Sequence, residues 1–250
     1  MSNWLLTAAA AVLVAAPAVA DDAKAVINKA IAAHGGAELL GKYKASTAKY
    51  KGQMTLFGMD AEFTGSSAHQ GADKFRMTME VDLGGMKLTV VQLVSGEKVK
   101  MTVNGTDQPL PDKLKTELRH SAAQEEMLQL VPLLDASRFT LKAEADVEVG
   151  GKPAAVVVVT GKGVKETRLY FDKSSGLLAK IGCKGYAPSM DDDPPEVLEE
   201  TVLAGFEKSE GILSPTKITV THDGKKFMEM TVTEGKNLEK LPPGALGDDE

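Results

Sequence analysis

From Asp73 to Val94 the chain reads DKFRMTMEVDLGGMKLTVVQLV. Phe75, Met77, Met79 and Val81 alternate with Arg76, Thr78, Glu80 and Asp82, the two-residue period of a strand with one greasy face. Gly84-Gly85 then signals a hairpin, and a second apolar run follows it. The preceding stretch, STAKYKGQMTLFGMDAEFTGSSAHQ, reads as two strands meeting at Gly58, with Ala61 and Phe63 set against Asp60, Glu62 and Thr64. EKVKMTVNG adds a fifth strand, with Val99, Met101 and Val103 on one face. Strands joined in sequence by tight turns predict an antiparallel meander and not a βαβ fold.

A helical period appears twice. Val26, Ile27, Ala30 and Ile31 form a stripe after a capping Asp21 or Asp22, and Gly35-Gly36 end it, with a short turn of helix around Glu38–Leu40. Residues 111–134 open on Pro111, carry Leu114, Leu118, Ala122 and Met127 on one side, and are interrupted near Pro132. Strands then resume. RFTLKAEADVEV alternates throughout, and KPAAVVVVTG is apolar enough to be buried on both faces. KETRLYFDKSSGLLAKIGCKG is a hairpin turning at Asp172–Gly176, and three final strands include a tight turn at His222-Asp223-Gly224. The loop APSMDDDPPE reads as surface. The tally is about ten or eleven antiparallel strands in a mainly β, single domain over residues 21–245. The end after Leu241, and 246–250 in particular, is expected to be a flexible tail.

Composition narrows the function. With 250 residues, 43% of them hydrophobic and 26% charged, the chain can bury a substantial core. A formal charge of −6 and the absence of a basic stripe argue against nucleic acid as a partner. Residues 4–20, WLLTAAAAVLVAAPAVA, end in the small-x-small pattern of a secretory cleavage site after Ala20. The rival reading, a membrane span, falls short: seventeen helical residues reach about 25 Å, against a hydrocarbon core of roughly 30 Å. The mature chain is therefore expected to be an exported, soluble monomer, periplasmic or extracellular, with no stable membrane insertion. Cys183 is the single cysteine, so no intramolecular disulfide forms and stability rests on packing.

Motifs for chemistry are sparse. His34, His69, His120 and His222 lack metal-ligand spacing; His34 suits a helix C-terminus as a positive imidazole. Asp191-Asp192-Asp193 lacks the spacing of a calcium loop. There is no nucleophile elbow, phosphate cradle or dinucleotide fingerprint. No catalytic residue, metal or cofactor is expected. The methionines are the unusual feature, with Met54, Met77, Met79, Met86, Met101, Met228 and Met230 on predicted strands. Met fills core gaps, and it also suits surfaces that adapt to irregular apolar shapes; both readings stay open.

The leading helix with AHGG, the strand DKFRMTMEV followed by GEKV, the hairpin RLYFDKSSGLLAKI, and the ending PTKITVTHDGKKFMEMTVTE with LEKLPPGAL together resemble the LolA/LolB-type lipoprotein-localisation superfamily. That resemblance implies an unclosed antiparallel β-barrel whose helices cover a hydrophobic concavity. It departs from the family's carriers at GADKF, where Gly71 and Ala72 replace the Arg-Pro pair that ties the lid down. Three functions follow. The first is a carrier or sensor holding a lipid, an acyl chain or a lipoprotein. Its contacts would be Met54, Leu56, Phe63, Phe75, Met77, Met79, Met101, Leu169, Phe171 and Ile181, with Leu114 and Leu118 from the lid. The second is an envelope module with a filled core that binds a protein partner. The third is a hydrolase with dispersed catalytic residues.

Overall fold

The computed structural model describes residues 22–187 and 193–247. The leader 1–20, Asp191 and Asp192 lie outside the described residues. Helices α1 (Ala23–His34) and α2 (Ala37–Lys42) come first, then strands β1 (Ala45–Leu56), β2 (Met59–Gln70), β3 (Lys74–Leu83), β4 (Met86–Ser95), β5 (Lys98–Val103) and β6 (Thr106–Asp107). Helix α3 (Asp112–Leu128) and a 3-10 turn (Val131–Leu134) lead to β7 (Phe139–Val149), β8 (Lys152–Gly161), β9 (Val164–Asp172), β10 (Leu178–Tyr186) and β11 (Glu196–Ala204). A small hairpin of β12 (Glu207–Ser209) and β13 (Ile212–Ser214) precedes β14 (Lys217–His222) and β15 (Lys225–Leu238).

Thirteen strands form one antiparallel sheet in the order β6-β5-β4-β3-β2-β1-β15-β14-β11-β10-β9-β8-β7, and β12-β13 stand apart. The two ends of that order are not hydrogen-bonded to each other, so the sheet is an unclosed half-barrel. The fifteen strands exceed the expected ten or eleven chiefly through β6, β12 and β13, which are two or three residues long and too short to show a period. Two meanders are joined where β1 pairs with β15. Helix α3 is the connection between the outermost strands, and it straps the halves together. Arg119 Nη2 donates to the Glu97 carbonyl in the β4–β5 turn at 2.9 Å, while Glu117 pairs with Lys165 on β9. Arg138, just before β7, makes a two-point contact with Glu126, Nη1 donating to Oε1 at 2.9 Å. The helix is thus tied down by contacts from both halves of the sheet.

The register decides which face is apolar. Met54 lies opposite Ala61 and Met228, Phe63 opposite Val81, and Phe75 opposite Val94. Across the other meander Ile181 lies opposite Leu169, and Leu169 opposite Val157. Following these pairs from strand to strand puts Met54, Met59, Met77, Met79, Met86, Met101, Met228 and Met230 on the same side of the sheet as Phe75 and Leu169. The opposite side carries the charges, such as Lys51, Glu62, Glu80 and Lys87. Val156, Val157, Val158 and Val159 are all buried, as the continuous Val run predicts.

Helix α1 packs its stripe of Val26, Ile27, Ala30 and Ile31 against Ala155, Val157, Phe171 and Leu178, making the main core. Asp22 caps it by accepting the Lys24 N–H at 2.8 Å. It stops at Gly35, whose φ of +135° disfavours a side chain and where an added Cβ would sit 2.7 Å from the Gly211 carbonyl oxygen. Helix α3 ends at Leu128, earlier than the pattern suggested. A tight turn follows, with Leu130 at φ +63° and the Val131 N–H donating to the Gln129 carbonyl at 2.7 Å. Pro132 explains the stop, because its ring would clash with the carbonyl four residues back. From Leu241 to Gly247 the chain is packed where a mobile end was expected, and 248–250 lie outside the described residues: Leu241 and Leu246 are buried with Ala45, Ala68 and Leu93 on the polar side of the sheet, and Arg76 donates to the Leu246 carbonyl at 2.9 Å. Leucines spaced through a Pro- and Gly-rich stretch have no period to announce them. Among the described residues no helix is long and apolar enough to cross a membrane.

Candidate functional site

The apolar side of the sheet is filled in one half and hollow in the other. Under α1 and the 3-10 turn, Leu169, Phe171 and Ile181 pack with Met127, Leu130 and Leu133 as a buried core. Where β1 and β2 meet β14 and β15, a cavity of about 420 Å³ remains, within the roughly 300–1,000 Å³ of small-molecule sites. Tyr50, Phe75, Met77, Ile218, Met230 and Val232 supply its apolar wall. Glu125 and Leu128 of α3, with Gln129 just after it, face it from above, and the β12–β13 hairpin closes one side. That hairpin is pinned by Ile212, buried in the main core, and by His34.

Of the residues proposed from sequence, Phe75 and Met77 line this cavity. Met54 and Phe63 are buried beside it in a cluster with Tyr50, Ala61 and Val81, against which Leu56, Met77, Met79, Met228 and Met230 are packed and only partly covered. Met77 and Met230 belong to both groups, so the methionine surface is continuous with the cavity wall. It runs out to the hairpin tips, where Phe57, Met59 and Met86 are 52%, 53% and 57% exposed. Leu118 covers Phe75 and Val94 from α3; Leu114 and Met101 are half-buried outside the cavity. Leu169, Phe171 and Ile181 belong to the closed core and are not brought together with the methionines. A wider depression of about 720 Å³ lies on the opposite side, walled by Lys51, Glu62, Glu80, Asp82, Lys87 and Glu229. Its charged, water-facing lining makes it a poor receptacle for hydrocarbon.

Sequence reasoning missed Glu125. It lies seven residues after Leu118 and three after Ala122, which places a carboxyl on the apolar stripe of α3. The mismatch is the signal that could have found it. Among the described residues none donates a hydrogen bond to Glu125 or pairs with its charge, and burial pushes its carboxyl up to about 7. Solvent reaches it partially, from the cavity side. Nearby, the Tyr50 hydroxyl donates to the Ser66 carbonyl at 3.1 Å. Its deprotonation is opposed first by burial and then by the charge of Glu125.

The histidines have separate structural roles, and among the described residues no three His, Cys, Asp or Glu side chains gather as metal ligands. His34 accepts the Leu178 N–H through Nε2 at 3.2 Å and contacts the Leu213 carbonyl through Nδ1 at 2.8 Å. An accepting Nε2 requires a neutral ring, and burial lowers its pKa. The expected positive charge at the helix end is corrected: the imidazole is a neutral bracket between α1, β10 and the β12–β13 hairpin. His69 contacts the Gly71 carbonyl at 2.6 Å, and burial lowers its pKa as well. His120 is buried with neither ring nitrogen bonded, and burial, with Lys165 adding to it, lowers it to about 4. His222 stacks on Phe227 at 4.2 Å between ring centres. Cys183 is buried and its thiol is pushed up to about 12, mainly by that burial, the opposite of an activated nucleophile.

No family model matches the chain, and no curated protein matches it in sequence. Solved structures do match over almost its whole length. A LolA superfamily protein from Nitrosomonas europaea superposes with a TM-score of 0.57 at 11% identity, covering 91% of this chain and 98% of that one. A DUF1329 family protein from Desulfovibrio piger ATCC 29098 gives 0.53 at 14% identity, covering 90% and 97%. The open sheet, the strapping helix and the hollow apolar face, together with these superpositions, establish that this chain has a LolA-like fold.

Proposed function

We propose that this protein is an exported carrier or sensor of the cell envelope that holds a lipid or acyl chain, alone or as part of a lipoprotein, against its methionine-lined face. The supporting observation is the cavity of about 420 Å³ whose wall continues into the exposed methionine surface. A ligand can slide in from the hairpin tips without unfolding any strand, and flexible thioethers conform to whatever shape arrives. Burying roughly 300 Å² of hydrocarbon at about 25 cal/mol/Å² gives on the order of 7 kcal/mol, from which association subtracts at least about 4 kcal/mol. The remainder is weak and reversible, as transfer requires. Export rests on the leader's cleavage pattern.

The test is titration of delipidated protein with a fluorescent fatty acid, alongside mass spectrometry of whatever organic solvent extracts from the protein as purified. Saturable uptake that is lost in Ser67→Phe, which fills the cavity beside Met77, is the expected result. Absence of uptake by the native protein overturns the proposal. A second reading, an interaction module for a protein partner, is favoured by the exposed Phe57, Met59 and Met86. It predicts capture of an envelope protein by native chain and loss of that capture in Phe57→Ser with Met59→Ser.

A further inference from the structure

Helix α3 turns three acids towards the body of the protein, and the chain provides for two of them. Glu117 is met by Lys165, and Glu126 by the two-pronged guanidinium of Arg138. Glu125, between them on the cavity side, has no counterpart among the described residues. A carboxylate lining the same apolar cavity as Tyr50, Met77 and Leu128 is costly to ionise without a partner. A plain hydrocarbon guest would leave it as stranded as before. A guest carrying a cation would complete it as Lys165 and Arg138 complete its neighbours.

We propose that the cavity is selective for long-chain amines, the ammonium pairing with Glu125 while the hydrocarbon lies along Met77 and Met230. The inference rests on the cavity being a hydrocarbon site, and it adds the chemistry of the ligand's polar end. A fatty carboxylate is disfavoured in the same place by like charge. The protein's net charge of −6 also draws a cation towards it.

The other titratable groups on the cavity wall leave Glu125 in control of its pH response. Tyr50 on β1 stays protonated. His34 of α1 and His69 of β2 are both lowered by burial and so remain neutral above pH 6.5. At the rim Glu207 and Lys208 belong to the small hairpin, and Glu234 and Lys236 on β15 pair with each other at 3.0 Å. Glu125, titrating near 7 in the empty protein, therefore releases a proton when an ammonium arrives.

The experiment is calorimetric titration of the full mature chain with dodecylamine, dodecanol and dodecanoate, each below its aggregation concentration, at pH 8 and pH 5.5. The expected result at pH 8 is an amine at least ten-fold tighter than the alcohol, with the carboxylate weakest. The advantage should shrink at pH 5.5. At pH 7 the heat of amine binding should vary with buffer ionisation enthalpy, reporting the released proton. Glu125→Gln should abolish the amine's advantage and leave dodecanol within about two-fold of native. Equal binding of amine and alcohol, or an advantage that survives Glu125→Gln, overturns the inference while leaving the hydrocarbon site intact. Failure of dodecanol as well as the amine overturns both.

Discussion

Replacing Glu125 by Gln should stabilise the protein, and by an amount that grows with pH. An ordinary glutamate titrates near 4.5 and Glu125 near 7. At about 1.36 kcal/mol per tenfold change in proton affinity, full ionisation in the folded state is opposed by roughly 3 kcal/mol. The folded pKa lies above the unfolded one, so the folded state holds this proton more tightly. Its contribution is fully present below pH 4.5 and is lost as pH rises through 7. Water reaching the carboxyl from the cavity reduces the effect, so the variant should gain about 1–2.5 kcal/mol over native protein between pH 5 and pH 8.5. Urea unfolding followed by circular dichroism at both pH values measures it. The buried histidines are common to both proteins and cancel in the difference. The Gln amide is as poorly bonded at one pH as at the other, so only the growth of the gap carries information. A gap constant to within about 0.3 kcal/mol would refute the placement of an unpaired carboxyl in this cavity.

Other substitutions probe the scaffold around the cavity. His120→Leu removes two unbonded ring nitrogens and should raise stability by about 1–3 kcal/mol at pH 7. Because His120 is lowered from 6.5 to about 4, native protein loses stability as pH falls between those values, and the variant's acid limb should be correspondingly flatter in thermal melts. Gly65→Ala places a Cβ 2.4 Å from the Tyr50 ring and 2.6 Å from the Thr78 carbonyl oxygen. It should destabilise by about 1–3 kcal/mol in chemical unfolding and push the tyrosine towards the cavity. Arg138→Gln leaves the buried Glu126 carboxylate without its guanidinium and should cost about 2 kcal/mol. Hydrogen exchange should then quicken along α3 sooner than in β8, if this contact is what holds the helix down.

Much of the fold was written in local periods. The alternation of Phe75, Met77 and Met79 against Arg76, Thr78 and Glu80, with Gly84-Gly85 after it, specifies strand, face and hairpin without reference to the rest of the chain. Long-range facts had no such record. Nothing in GILSP announces a two-stranded hairpin closing a cavity, because β13 is held by Ile212 in a distant core and by a hydrogen bond to His34, 179 residues away. Alternation along the strands assigns the inward set to one face and carries no information about depth. Leu169, Phe171 and Ile181 share their side of the sheet with Met77, yet α1 stands over them and not over it. Whether a greasy face is covered depends on where a helix docks, and that is settled by contacts between segments more than a hundred residues apart.

The division of that face also accounts for where the methionines fall. Strands β7 to β10 must curve against α1, and they meet it with Val157, Val159, Leu169 and Phe171, side chains with few rotamers that pack in one arrangement. That rigid half fixes the curvature of the whole sheet through the continuous ladder from β10 to β1. Strands β1 to β4 make less of that fit: among the described residues α3 covers them at Phe75 and Val94, and beyond it the face is built from Met54, Met77, Met79 and Met228. Were these methionines mere gap-fillers, they would be expected under the helices, where shape matching is tightest. Of the eight methionines on this face, Met77 packs in part against the α3 cluster and Met101 is half-buried on β5, while Met54, Met79, Met228 and Met230 group in a separate cluster and Met59 and Met86 stand open at the tips. An adaptable surface set apart from the rigid core supports the proposal that a guest gives it its shape.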